Sequence, residues 1–91
     1  MKVKVEDIEY EIIKNEREGF VEEDFINKCT DYYYSYDYVV GDWAYSKLRL
    51  KGFYDAQNKK VKNYNNIEKV EEYIDRNCAY GCKYFIAKKI S

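Results

Sequence analysis

The stretch from Tyr36 to Asp55, YDYVVGDWAYSKLRLKGFYD, limits what this chain can fold into more than any other. Tyr36 to Trp43 and Lys47 to Tyr54 are both rich in strand-forming residues, and the Ala44-Tyr45-Ser46 link between them is short enough for a hairpin connection. Successive strand side chains point to opposite sides, so Leu48 and Leu50 share one face while Lys47, Arg49 and Lys51 share the other. One face is therefore expected in a core and the other is charged. Gly41 inside the first arm predicts a bulge or a close backbone approach.

The flanking segments supply the rest of a fold. Val3 and Val5 alternate with Lys2 and Lys4, and Ile8, Tyr10 and Ile12 alternate with Glu9 and Glu11, so residues 2–5 and 8–13 read as a hairpin turning at Glu6-Asp7. Across it Lys2 and Lys4 are placed to face Glu9 and Glu11. Glu22, Glu23 and Asp24 precede Phe25, Ile26, Cys29, Tyr32 and Tyr33, the pattern of a helix over about 22–33 with acids in its first turn. Asn65 stands three residues before Glu68, a capping-box spacing, and Ile67, Val70, Tyr73 or Ile74, and Cys78 recur at helical intervals, giving a helix over about 66–77. After Gly81, the run Cys82 to Ile86 is apolar on both faces for part of its length, as a strand inside a sheet would be. A chain of 91 residues has room for one modest core. The expected fold is a single α+β domain over 1–91, order ββαββαβ, with a largely antiparallel sheet and two helices packed on one face.

Composition removes several classes of function. Histidine is absent, and with it the usual general base near neutral pH; no nucleophile elbow, phosphate-cradling glycine loop or paired metal-carboxylate motif is present. No catalytic residue and no cofactor is assigned. Cys78 and Cys82 with Cys29 fall short of the four soft ligands of a structural zinc site, so no metal is assigned either. The start MKVKVEDIEY lacks the apolar run of a signal peptide, and no stretch approaches the roughly 18 apolar residues of a membrane span. An odd cysteine count without export signals predicts reduced thiols and a cytoplasmic location.

Two features point to binding. Twelve of the seventeen acids fall in residues 1–42 and eleven of the sixteen bases in residues 43–91, although the formal net charge is only −1. Within the basic half, Lys47, Arg49 and Lys51 are expected to share a strand face with Tyr45 and Phe53, alternating cations with rings in the manner of surfaces that bind single-stranded nucleic acid. The plainer reading is a solvated face paired with acids of the adjacent strand, with Asp37 in reach. Trp43, next to Asp42 at a strand end, is a core residue on one reading and an interface anchor on the other. Twelve tyrosines, whose hydroxyls need water or a partner, suit a chain that keeps aromatic rings at its surface.

The block Asp37, Gly41, Asp42, Trp43, Tyr45, Leu48, Arg49, Leu50, Lys51, Gly52, Phe53, followed by Cys78, Gly81, Cys82, Tyr84 and Phe85, resembles the YutD-like family of small proteins from Firmicutes. The departures are Ala44 where the family often has glycine and Tyr80 where it often has phenylalanine. The resemblance implies a small cytoplasmic α+β domain and carries over no catalytic residue. The expected function is a non-enzymatic binding or adaptor module acting on a protein partner. The alternative is single-stranded RNA binding. The surface expected to serve either comprises Trp43, Tyr45, Lys47, Arg49, Lys51 and Phe53.

Overall fold

The computed structural model describes residues 1–77 and 81–90. Five strands, β1 (Lys2–Val5), β2 (Ile8–Glu16), β3 (Tyr38–Ala44), β4 (Lys47–Phe53) and β5 (Tyr84–Lys89), form one sheet in the order β1-β2-β5-β3-β4. All four pairings are antiparallel. Two helices, α1 (Glu22–Lys28) and α2 (Val70–Asn77), complete the α+β architecture in the expected element order. Lys2 lies opposite Glu11 and Lys4 opposite Glu9, as the alternation predicts.

The helices pack on opposite faces of the sheet, which corrects the expectation that they share one. Register fixes the faces: Val39, Leu48, Tyr10, Phe85 and Ala87 fall on one side with Phe20, Phe25 of α1 and Cys29. Tyr38, Val40, Phe53, Tyr84 and Ile86 fall on the other, where Val70 and Ile74 of α2 close over them. An amphipathic helix needs an apolar surface for its stripe, and the central strands present one on each side. Tyr84, Phe85, Ile86 and Ala87 of β5 are all buried, as befits a central strand covered twice.

The helix expected over 22–33 ends at Lys28. Cys29 turns to extended geometry after its N–H bonds the Phe25 carbonyl, and a 3₁₀ turn at Asp31–Tyr33 follows. That break lets Tyr33 and Tyr34 pack against the α1-side core instead of continuing the helical stripe. The helix expected over 66–77 begins as a 3₁₀ turn at Ile67–Lys69 and becomes α-helical at Val70. Its cap is Asn66, whose Oδ1 accepts from Glu68 N at 2.9 Å. Asn65, expected to cap, is buried, and its Oδ1 accepts from Lys62 N at 2.6 Å.

Close approach explains two glycines. A Cβ on Gly41 would lie 2.3 Å from the Phe85 ring, and one on Gly19 would lie 2.5 Å from the backbone nitrogen of Tyr84. Gly41 is accordingly the close approach, not a bulge, and its pairing with Leu50 and Phe85 is regular.

Candidate functional site

The β3–β4 hairpin forms one edge of the sheet and projects a two-residue turn, Tyr45-Ser46, between Ala44 and Lys47. Both turn residues have positive φ, 54° and 65°. A tight hairpin turn of this hand normally uses Asn-Gly or Asp-Gly, because other residues pay about 1–2 kcal/mol for left-handed geometry. Tyr45 is 99% exposed. The hairpin thus holds a large aromatic ring in solvent at a strained position.

Beneath the tip, Trp43 is half-buried, and its Nε1 donates to the Gly19 carbonyl at 2.7 Å. The Lys83 ammonium stands 5.1 Å from the Trp43 ring. A hollow of about 360 Å³ lies on the α1 side, between Trp43, Lys47 and Leu48 and the helix residues Asp24, Asn27 and Lys28. A second, of about 400 Å³, opens on the other side among Trp43, Ala44, Tyr45, Arg49 and Asn77. Trp43 borders both.

Lys47, Arg49 and Lys51 do share a face, as their parity requires, but it is the face covered by α2. They have three different environments. Lys47 is exposed at the hairpin end. Arg49 Nη2 donates to Asp42 Oδ2 at 2.5 Å and to the Asn77 carbonyl at 2.8 Å, tying β4 to β3 and to the end of α2. The hydrogen bond to Asp42 holds the guanidinium further into its protonated range. The Lys51 ammonium rests over the rings of Phe53, Tyr64 and Tyr73 at 5.3, 5.6 and 5.8 Å.

Of the remaining expected members, Phe53 keeps the shared face and Tyr45 and Trp43 do not. Phe53 is fully buried in the α2-side core, so it is no surface platform. Tyr45 lies in the turn, and Trp43 points to the opposite face, where it meets Leu48. Asp37, expected to pair with the basic stripe, instead accepts from Asp55 N at 2.8 Å and Asn58 Nδ2 at 2.9 Å; the acid facing the stripe is Asp42. Sequence parity identified the faces, but only the strand register shows which acid stands opposite which base.

Tyr64, Lys69 and Arg76, which no sequence expectation singled out, border a hollow next to Lys51 together with Tyr73 of the helical stripe. A signal was present: positions 69, 73 and 76 are spaced to share one helix face. Cys82 is disulfide-bonded, which corrects the expectation of reduced thiols; Gly81, at φ 78°, turns the chain just before it. Spacing and compartment do not report where a turn aims a sulfur. Cys29 is a free thiol, buried beside the Tyr10 hydroxyl at 3.7 Å, and burial pushes its pKa up. Cys78, weighed above as a metal ligand and as a helix-stripe residue, lies outside the described residues. Among the described residues no group of three or more His, Cys, Asp or Glu comes together, and no helix is long and apolar enough to cross a membrane.

The family model described as "YutD-like: Putative antitoxin YutD-like" matches residues 4–88. A Bacillus subtilis (strain 168) protein named "Putative antitoxin YutD" is 44% identical over 86 residues, which is 94% of each chain. A solution NMR structure of the protein yutD from B. subtilis superposes with a TM-score of 0.83 at 42% identity, covering 99% of this chain and 82% of that one.

Proposed function

The chain belongs to the YutD-like family, and we propose that it is a non-enzymatic protein-binding module of the antitoxin kind, holding a toxin partner at the end of its β3–β4 hairpin. The observation that carries this reading is Tyr45, 99% exposed at positive φ in a turn where Asn-Gly would be less strained. Strain retained at an exposed residue motivates a functional role, because folding alone gives no reason to keep it. The hollows beside Trp43 add concave surface on either side of the ring. Tyrosine and tryptophan are the residue types that dominate protein interfaces. Lys47 and Lys83 border the same end, so the partner surface is an apolar socket for Tyr45 with an acidic rim. The word antitoxin in the family description supports a toxin as the kind of partner. Cytoplasmic residence, expected from the sequence, is part of the same proposal.

The test is genetic. Depleting an antitoxin releases its toxin, so depletion of this chain should arrest growth, and suppressors of the arrest should map to one gene encoding a toxic protein. A complementing copy carrying Tyr45→Ala should be stably expressed yet relieve the arrest poorly. Depletion without a growth effect, or full relief by Tyr45→Ala together with Trp43→Phe, would overturn the reading.

A further inference from the structure

On the α2 side of the sheet, beyond the hairpin end, lies a third hollow of about 270 Å³. It is lined by Lys51 and Phe53 of β4, by Tyr64, and by Lys69, Tyr73 and Arg76. Lys69 sits in the 3₁₀ turn that leads into α2, so its side chain and those of Tyr73 and Arg76 project along one helical face. Among the described residues none of Lys51, Lys69 and Arg76 takes part in an ion pair; those found join Met1 to Glu11, Lys14 to Glu71 and Arg49 to Asp42. Among the described residues, Glu72 is the only carboxylate that lines it. Three cations gathered in a concave site and offset by one acid create a positive potential that draws an anion.

The aromatic wall makes the site more selective than a basic patch. Tyr64 is 70% exposed, which leaves aromatic surface accessible to a planar ligand. Stacking on such a ring, with a phosphate held by nearby cations, is the general chemistry of nucleotide recognition outside a duplex. The volume lies just below the roughly 300–1,000 Å³ of ligand clefts, which limits the occupant to about one nucleotide unit.

We propose that this hollow binds a nucleoside monophosphate unit, with the phosphate between Lys69 and Arg76, supported by Lys51, and the base on Tyr64. The unit comes either as a free nucleotide or as the phosphorylated end of a strand. This site is separate from Tyr45 and stands whether or not the hairpin end holds a protein.

The experiment is an NMR titration of the full chain with AMP, adenosine, and the dinucleotide ApA with and without a 5′-phosphate. AMP should shift the amides of Tyr64, Lys69, Tyr73 and Arg76, and adenosine should bind at least about ten-fold more weakly, because it lacks the charge. The double variant Lys69→Gln, Arg76→Gln changes exposed side chains, and its spectrum away from the hollow should match the parent. It should lose about ten-fold or more in AMP affinity, and Tyr64→Ala about five-fold or more. Tighter binding of phosphorylated ApA than of AMP identifies a strand end; the reverse order identifies a free nucleotide. The proposal fails if AMP leaves these amides unshifted at millimolar concentration, if adenosine binds as well as AMP, or if the double variant binds AMP like the parent.

Discussion

Asp42 on β3 and Arg49 on β4 stand directly opposite each other in register, and the half-exposed guanidinium closes over a carboxylate that is 1% exposed. The same guanidinium reaches the Asn77 carbonyl at 2.8 Å, so one side chain joins two strands and the end of α2. Arg49→Ala should therefore destabilise the fold by about 1.5–3 kcal/mol, the range for hydrogen bonds to a charged group. Arg49→Lys should recover only part of this, because an ammonium cannot reproduce the planar fork that serves both acceptors. Lys47→Gln, two residues away on an exposed site, should stay within about 0.5 kcal/mol of the parent. Urea unfolding of the three variants measures all of this. Equal effects at positions 47 and 49 would mean that the pair contributes nothing.

Trp43 Nε1 holds the Gly19 carbonyl at 2.7 Å while the Gly19 α-carbon is pressed against the Tyr84 backbone, so the β2–α1 connection is clamped between β3 and β5. A methyl group at Gly19 would collide with main chain, which cannot rotate aside as a side chain can. Gly19→Ala is expected to cost about 3 kcal/mol, at the upper end for overpacking. Trp43→Phe keeps most of the ring but removes the donor, and should cost about 1 kcal/mol. Thermal unfolding of both variants checks the order, which would be reversed if the clamp depended mainly on the indole.

Alkaline pH should unfold this protein through its tyrosines. Burial, then the hydrogen bond to Cys29, pushes the Tyr10 hydroxyl far above its ordinary pKa; burial also raises Tyr73. Tyr36 is pushed up to about 12, first by its hydrogen bond to Tyr32 and then by burial. Unfolded tyrosines ionise near pH ~10. Below that pH both states keep their protons and the stability is intact. Between pH ~10 and about 12 the unfolded state loses protons that the folded state retains, so stability falls as pH rises. Tyrosinate absorbance should thus develop in two phases, the later one coinciding with loss of circular dichroism. All twelve tyrosines titrating as one class with the fold intact would contradict this.

Much of this architecture is legible in the sequence where a single period dominates. The alternation of Lys2–Val5 and Ile8–Ile12 set the first hairpin, and the Leu48, Leu50 parity set the inward face of β4. The side taken by α2 was less accessible, because amphipathicity says that a helix has a buried stripe and not which face receives it. The run of four buried residues Tyr84–Ala87 held the answer, since a strand apolar on both faces needs a cover on each. The site divides in the same way. Lys47, Arg49 and Lys51 were found by alternation, but their differing environments depend on Asp42, Tyr64, Tyr73 and Asn77, brought in from β3, a turn and α2 by tertiary packing alone.

Tyr45 and Ser46 are where stability and function should separate. Replacing them with Asn-Gly supplies residues suited to positive φ at both turn positions. The ring being removed is fully in solvent, so no packing is lost. The double variant Tyr45→Asn, Ser46→Gly should therefore be more stable than the parent by about 1 kcal/mol. If the hairpin end holds a protein partner, the same variant should lose function, because it discards the aromatic anchor; truncation of such an anchor typically costs about 2 kcal/mol or more of binding, some thirty-fold in affinity. Urea unfolding together with relief of growth arrest in the depletion strain reads both quantities from one variant. A variant that gains stability and still relieves the arrest fully would show that Tyr45 is no anchor, and one that loses stability would show that the turn is not strained.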